Sequence, residues 1–93
     1  MDKDNHAQLL FAVAFVLRQR REALLITQSE LARLCGLHRS YIAGVERGAR
    51  NIAIQNVSRL ASALDMAASK VLSLAEKKLA REGPFKLKRK KSK

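Results

Sequence analysis

The sequence has few of the residues that carry covalent cross-links, metal sites or catalysis. Cys35 is the single cysteine and tryptophan is absent, so no internal disulfide can form and a reducing compartment suits the chain. Cys35 falls on the apolar side of a predicted helix, as expected for a small core residue. His6 and His38 are far apart and have no carboxylate partner nearby in sequence, and no phosphate-binding glycine loop is present. We therefore expect no enzyme activity, no catalytic residue, no metal and no cofactor.

Aromatic and acidic residues are also scarce. Aromatics make up 4% of the chain and alternating β-branched runs are missing, so strands are not expected. Eight acidic residues stand against 19 lysines and arginines, for a formal net charge of +11. That excess points to a polyanion partner such as nucleic acid, although a membrane surface or simple solubility would also suit a basic chain.

The longest apolar run, Leu9 to Leu17, is too short to cross a bilayer. Basic residues follow this run instead of preceding it, which is the reverse of a signal peptide. A membrane-surface helix would need exposed apolar and basic faces together, whereas the apolar positions here have the spacing of a core. We expect a cytoplasmic protein with no membrane partner.

Apolar residues recur at helical spacing along most of the 93 residues, which suffice for one small domain. This pattern predicts an all-α fold of five helices within residues 6–82. The expected helices are Ala7–Glu22, one opening at Thr27, one following His38, Ile54–Leu64 and Ala68–Glu82. Gly83 and Pro84 end the last helix. The remaining basic tail, residues 83–93, is too charged to fold alone, and it either adds electrostatic attraction to a polyanion or is a solvated end.

Residues 27–48 predict two short helices joined by a tight turn. Leu31 and Cys35 lie on one side of the first helix, and Ile42 and Val45 lie three apart on the second. Gly36 falls between the helices, where a sharp turn favours positive φ. This is the helix-turn-helix pattern, whose second helix enters the DNA major groove. The alternative is an ordinary helical hairpin with a solvated polar face.

The outward positions of the second motif helix favour a nucleic-acid contact. With Ile42 and Val45 turned inward, the residues left to face a partner are His38, Arg39, Ser40, Ala43, Gly44 and Arg47. Arg39 and Ser40 stand at the amino end, which reads base edges in this motif. His38 is a weak choice for an N-cap, so it is either a contact residue or a tolerated cap.

The preceding helix opens with a pattern that suits a phosphate. Thr27 and Glu30 predict a capping box. Gln28 and Ser29 lie in the first turn, where free backbone N–H groups favour an anion. We expect these two residues near the DNA backbone.

Four segments together resemble the lambda-repressor/Cro-like, or XRE, family from about Phe11 to Leu79. They are Leu17-Arg18 followed by Arg21, TQSELARLCGL, HRSYIAGVERGARN and NVSRLASALDM. HRSYIAGVERGARNIAI is most similar to the controller proteins of restriction-modification systems, although antitoxins and mobile-element regulators share most of these residues. The resemblance implies a sequence-specific, autoregulatory transcriptional regulator that binds double-stranded DNA at a near-palindromic operator and blocks or recruits RNA polymerase.

The resemblance also assigns roles to matching positions. It places Gln28, Asn51 and Arg50 at phosphates, Arg39 and Ser40 at bases, and Tyr41 and Arg47 near the backbone or operator centre. It further implies a buried ion pair between Arg21 and Glu46. Two departures stand out: Ile52 and Ala53 replace the usual Pro and Ser, which removes a helix cap, and Gly44 replaces a larger reading side chain.

A homodimer is expected because one helix-turn-helix reads too few base pairs, whereas two recognition helices can lie about 34 Å apart. Helices 4 and 5 are the predicted contact. The apolar stripe proposed for it consists of Val71, Leu74, Ala75 and Leu79, which would otherwise complete the monomer core. The competing hypothesis is a protein-interaction module, such as an antitoxin, but that would need a longer partner-binding extension.

Overall fold

The computed structural model describes the backbone of residues 3–82 and the side chains of residues 6–82. Within that part the chain forms five α-helices and no strand, so the predicted all-α fold is confirmed. The helices are α1 Lys3–Ala23, α2 Gln28–Cys35, α3 Arg39–Glu46, α4 Ile54–Ala63 and α5 Ala68–Glu82. The predicted basic tail, residues 83–93, lies outside the described residues.

The α2 helix begins and ends at the signals present in its sequence. The Thr27 hydroxyl accepts a hydrogen bond from the Glu30 N–H at 3.0 Å, and the Glu30 carboxylate accepts one from the Thr27 N–H at 2.7 Å. The predicted capping box is therefore confirmed. At the other end Gly36 has φ 74° and its N–H donates to the Ala32 carbonyl at 2.9 Å. A left-handed residue at this position turns the chain sharply into α3.

The other helix ends are defined less by local chemistry. His38 precedes α3 and Ala53 precedes α4, and neither side chain caps its helix. The α1 helix is longer than predicted because it begins at Lys3 instead of Ala7, and the sequence has no proline or glycine before Leu9 to end it.

The core forms where α1 and α5 meet the α2–α3–α4 layer. The α1 helix packs chiefly on α5, and α2 contacts both α3 and α4. The largest fully enclosed side chains come from all five helices and are Leu17, Leu31, Ile42, Val45, Leu60, Leu64 and Val71. Arg20 adds a polar tie, since its Nε donates to the Leu64 carbonyl at 2.9 Å and its Nη2 to the Asp65 carbonyl at 3.2 Å. These bonds fix α1 to the turn between α4 and α5.

The α5 helix does not offer the predicted apolar stripe. Val71 and Ala75 are 0% exposed within the protomer, so neither has surface to present to a second copy. Leu74 and Leu79 are half-buried and pack against the same core. The expectation is wrong for Val71 and Ala75 because α5 packs against the long α1 helix. This contact buries the apolar residues of α5 that have the most regular helical spacing.

The exposed apolar side chains lie elsewhere on the protomer. They are Phe11 and Phe15 on α1, Leu24 and Leu25 after it, Leu34 on α2 and Ile54 on α4. No helix among the described residues combines the length and apolar character that a bilayer span requires.

Candidate nucleic-acid interface

The α2–α3 turn leaves one side of α3 open to solvent. Leu31 on α2 and Ile42 and Val45 on α3 are buried, so the helix pair packs through its apolar sides. The side chains of Arg39, Ser40 and Arg47 on α3 remain exposed. This is the arrangement in which a recognition helix can enter a groove while the core stays closed.

A buried ion pair fixes α3 to α1. Arg21 Nε lies 2.7 Å from Glu46 Oε2, and Arg21 Nη2 lies 3.0 Å from Glu46 Oε1. The two side chains are 12% and 5% exposed. Arg21 Nη1 also donates to the Ile26 carbonyl at 2.8 Å, in the link before α2. One guanidinium therefore ties α1, the α1–α2 link and the end of α3 together in a forked geometry.

The same pair stabilises the charged form of Arg21. The hydrogen bond with Glu46 raises the pKa of Arg21 above its ordinary value, burial opposes this, and the charges of Glu46 and Glu22 raise it further. The guanidinium therefore stays protonated wherever the protein is folded.

Gln28 connects this ion pair to the exposed side of α3. Its Nε2 donates to Glu46 Oε1 at 2.9 Å, and its Oε1 accepts from Arg39 Nη1 at 3.1 Å. Because a carboxylate can only accept and a guanidinium can only donate, these two partners fix the orientation of the Gln28 amide. The structure places Gln28 between Glu46 and Arg39, and the phosphate contact expected for Gln28 stays a prediction.

The Arg39 side chain lines a cationic cleft of about 440 Å³, which we call the arginine cleft. It is lined by Arg18, Arg21, Gln28, Arg39, Ala43, Glu46 and Arg47. Glu46 is paired with Arg21, and within residues 6–82 neither Arg39 nor Arg47 has a carboxylate within 4 Å. The cleft thus carries excess positive charge, which attracts phosphate and guanine edges.

The opposite flank of α3 is organised around Tyr41. Its hydroxyl accepts a hydrogen bond from Asn56 Nδ2 at 3.0 Å, and the Arg50 guanidinium lies 5.6 Å from the centre of its ring. Gly44 is buried, so the expectation that it faces a partner is wrong. The reason is that Arg50 covers the space left by the missing side chain.

The remaining predicted residues are not gathered into the arginine cleft. Ser29 and His38 are exposed at the amino ends of α2 and α3, where the first backbone N–H groups have no partner within the helix. Asn51 lines a separate apolar groove beside Ile52 and Ile54. Within the described residues no three metal-ligating side chains come together.

Sequence reasoning missed two residues of this surface. Arg18 lines the arginine cleft and pairs with exposed Glu22 at 3.1 Å. Its position three residues before Arg21, on one face of α1, is a signal that could have identified it. Asn56 carries no comparable signal, because its bond to Tyr41 joins separate helices.

Comparison with known proteins identifies the family. A helix-turn-helix family model matches residues 17–70. The chain belongs to this helix-turn-helix family. It is 44% identical to the restriction-modification controller protein C.AhdI from Aeromonas hydrophila, with a TM-score of 0.65, covering 67% of this chain and 94% of that one. The prediction of a controller-like helix-turn-helix protein is confirmed.

Two further proteins are also similar to this chain. A hypothetical transcription factor of Neisseria meningitidis is 45% identical over 53 residues, a match that spans 57% of this chain and half of that protein. The controller C.Esp1396I, solved as a tetramer with its natural 35-base-pair operator, is 31% identical with a TM-score of 0.71, covering 76% of this chain and 93% of that one. One of these relatives is thus a hypothetical transcription factor and the other a restriction-modification controller.

The ion pair leads to a stability prediction. Replacing Glu46 with alanine leaves the largely enclosed Arg21 charge without its partner, and we expect a loss of about 1.5–3 kcal/mol in unfolding free energy, the scale of a hydrogen bond to a charged group. Glu22→Ala is the matched control, because Glu22 is also near Arg21, at 3.9 Å, but is largely exposed. The control should change stability by less than about 1 kcal/mol. Urea denaturation measures both, and equal losses would contradict a special role for Glu46.

Proposed function

We propose that the protein is a sequence-specific DNA-binding transcriptional regulator of the restriction-modification controller type, and that it acts as a homodimer on a near-palindromic operator. The observation that carries this proposal is the exposed Arg39 side chain, which Gln28 links to the buried Arg21–Glu46 pair. The C.Esp1396I structure, a controller on its operator, supports the same use of the fold.

Arg39 remains free to read a base while it is held by Gln28. The bond to Gln28 uses Nη1, so Nη2 and Nε remain available as parallel donors to the O6 and N7 atoms of guanine. Holding the side chain in place before binding lowers the entropy lost on contact. Ser40 follows Arg39 and supplies a hydroxyl that can serve several bases.

The surrounding side chains would contact the phosphate backbone. Arg18 and Arg47 line the arginine cleft beside Arg39, and Ser29 lies in the first turn of α2, where backbone N–H groups favour anions. We propose exposed His38, at the start of α3, and exposed Asn51, in the α3–α4 loop, as further phosphate contacts outside the cleft. These contacts orient α3 in the major groove and leave sequence reading to its amino end.

We assign dimerisation to an uncharged surface formed by α4, the loop before it and parts of α1 and α5. A groove of about 340 Å³ is lined by His6, Leu9, Leu10, Val13, Asn51, Ile52, Ile54, Val57 and Leu72. None of these is a lysine, arginine, aspartate or glutamate, and Ile54 is 64% exposed. Two copies of a strongly basic chain meet with least repulsion through such a surface, so we place Ile54 near the dimer contact.

In the regulator as proposed, occupancy of the operator blocks or recruits RNA polymerase, and the protein controls its own gene. The helix-turn-helix domain spans residues 6–82, and the basic tail of residues 83–93 adds electrostatic attraction to the phosphate backbone. No observation on the described residues favours the alternative of an antitoxin-like partner-holding module.

Base reading by Arg39 is tested with the DNA upstream of the protein's own gene. Arg39→Ala should weaken specific binding about tenfold or more, because a bidentate arginine–guanine pair contributes about 1–3 kcal/mol. Binding to an unrelated duplex should persist. Arg59→Ala removes the same charge from exposed α4 surface and should leave the specificity ratio unchanged. Equal specificity ratios for Arg39→Ala and the wild type, measured by gel shift, would contradict the assignment.

The dimer surface is tested by adding a charge to it. Ile54→Glu should convert the dimer to monomer at micromolar concentration, because burying an unpaired carboxylate opposes association. Leu34→Glu is the matched control, since Leu34 is 59% exposed on α2, away from the groove. Sedimentation velocity measures both variants. A dimer that survives Ile54→Glu and dissociates with Leu34→Glu would place the contact on α2.

The tail is tested through salt dependence. Deleting residues 86–93 should reduce the slope of log affinity against log salt by about 0.9 for each phosphate contact removed. Titrations of the full chain and the truncated chain at several salt concentrations give the two slopes. An unaltered slope would show that the tail makes no phosphate contact.

A further inference from the structure

Gly44 occupies an unfavourable place for a glycine, the interior of the short helix α3. Its backbone φ is not in the left-handed region, so helix geometry does not require glycine. The need for glycine comes from a neighbour. A Cβ built at this position would lie 2.9 Å from Arg50 Cγ, 3.1 Å from Nε and 3.3 Å from Cδ. Arg50 therefore fills the space that any side chain at position 44 would take.

Tyr41 provides the second contact for Arg50. Tyr41 precedes Gly44 by three residues and so lies on a neighbouring part of the same helix surface. The Arg50 guanidinium lies 5.6 Å from the Tyr41 ring centre, within the range of a cation–π contact. Asn56 donates to the Tyr41 hydroxyl at 3.0 Å, which holds the ring in place. Arg50 is thus supported along its aliphatic chain by Gly44 and at its charged end by Tyr41.

The supported Arg50 still faces solvent on the side where DNA would lie. Arg50 is exposed, and it lines a cleft of about 320 Å³ together with His38, Ser40 and Tyr41. Ser40 is also one turn before Gly44, at the reading end of α3. The guanidinium of Arg50 therefore borders the same outward surface as Arg39, on the flank opposite Gln28.

We infer that Gly44 is a positioning residue for Arg50 and that Arg50 is a specificity-determining residue of the DNA site. The α3–α4 loop supplies a guanidinium to the place on the recognition surface where α3 itself carries no side chain. The expected target is a guanine edge, which a planar guanidinium can contact with two parallel donors. This inference rests on the proposed function.

The experiment uses the full chain and a pool of duplexes with a randomised central segment, from which the wild type selects its preferred sequence. Gly44→Ala should keep or raise the melting temperature, since alanine favours the helix and the displaced atoms belong to a flexible side chain. Its affinity for the selected duplex should fall about tenfold, the scale of one lost arginine–guanine pair. Its affinity for a scrambled duplex of the same length should not change.

A double-mutant cycle separates positioning from other effects of Gly44. Arg50→Ala should lose about as much affinity for the selected duplex as Gly44→Ala, and the double variant should lose no more than either. Arg50→Lys, which keeps the charge, should not restore discrimination. Arg59→Ala, which removes a charge from exposed α4 surface, is the control and should leave discrimination unchanged.

Several results would overturn the inference. Wild-type discrimination by Gly44→Ala, or additive losses in the double variant, would show that Gly44 does not act through Arg50. An equal loss by Arg50→Ala on both duplexes would make Arg50 a phosphate contact without a role in specificity. If the wild type enriches no sequence at all, the proposed function itself is wrong and this inference fails with it.

Discussion

The ion pair between Arg21 and Glu46 is the contact on which the geometry of the recognition surface depends. Two buried charges are tolerated only when their hydrogen bonds are well formed, and here the guanidinium bonds both carboxylate oxygens and the Ile26 carbonyl. A shift of α3 against α1 would break several of these bonds together. The pair therefore favours a single orientation of α3, which a hydrophobic contact of equal area would define less sharply.

Gln28 extends that constraint to the surface. Its amide has one donor bonded to Glu46 and its oxygen bonded to Arg39, so the position of an exposed arginine depends on a buried carboxylate. The Gln28–Glu46 bond is partly buried, whereas the Gln28–Arg39 bond lies at the exposed surface. Loss of Glu46 should therefore disturb Arg39 as well as the fold, which links stability to DNA recognition in one network.

The sequence predicts the parts of the fold that local chemistry determines and misses those that arise from packing. The capping box of Thr27 and Glu30 and the turn at Gly36 both follow from short-range signals. The burial of Val71 and Ala75 does not, because periodicity cannot show which neighbour covers a helix. The Gln28–Glu46 contact spans 18 positions, so the sequence could only suggest a phosphate contact for Gln28.

Gly44 shows most clearly why local sequence patterns do not predict contacts that arise from packing. Glycine weakens a helix, and as a residue without a side chain it gives no sign of a contact. The structure shows that this absence is what admits Arg50, a residue from outside the helix. Arg39, held by Gln28, and Arg50, held by Gly44 and Tyr41, then lie on opposite flanks of α3. A recognition surface of this kind includes the loop after the recognition helix, so a change in that loop alters specificity without altering the helix.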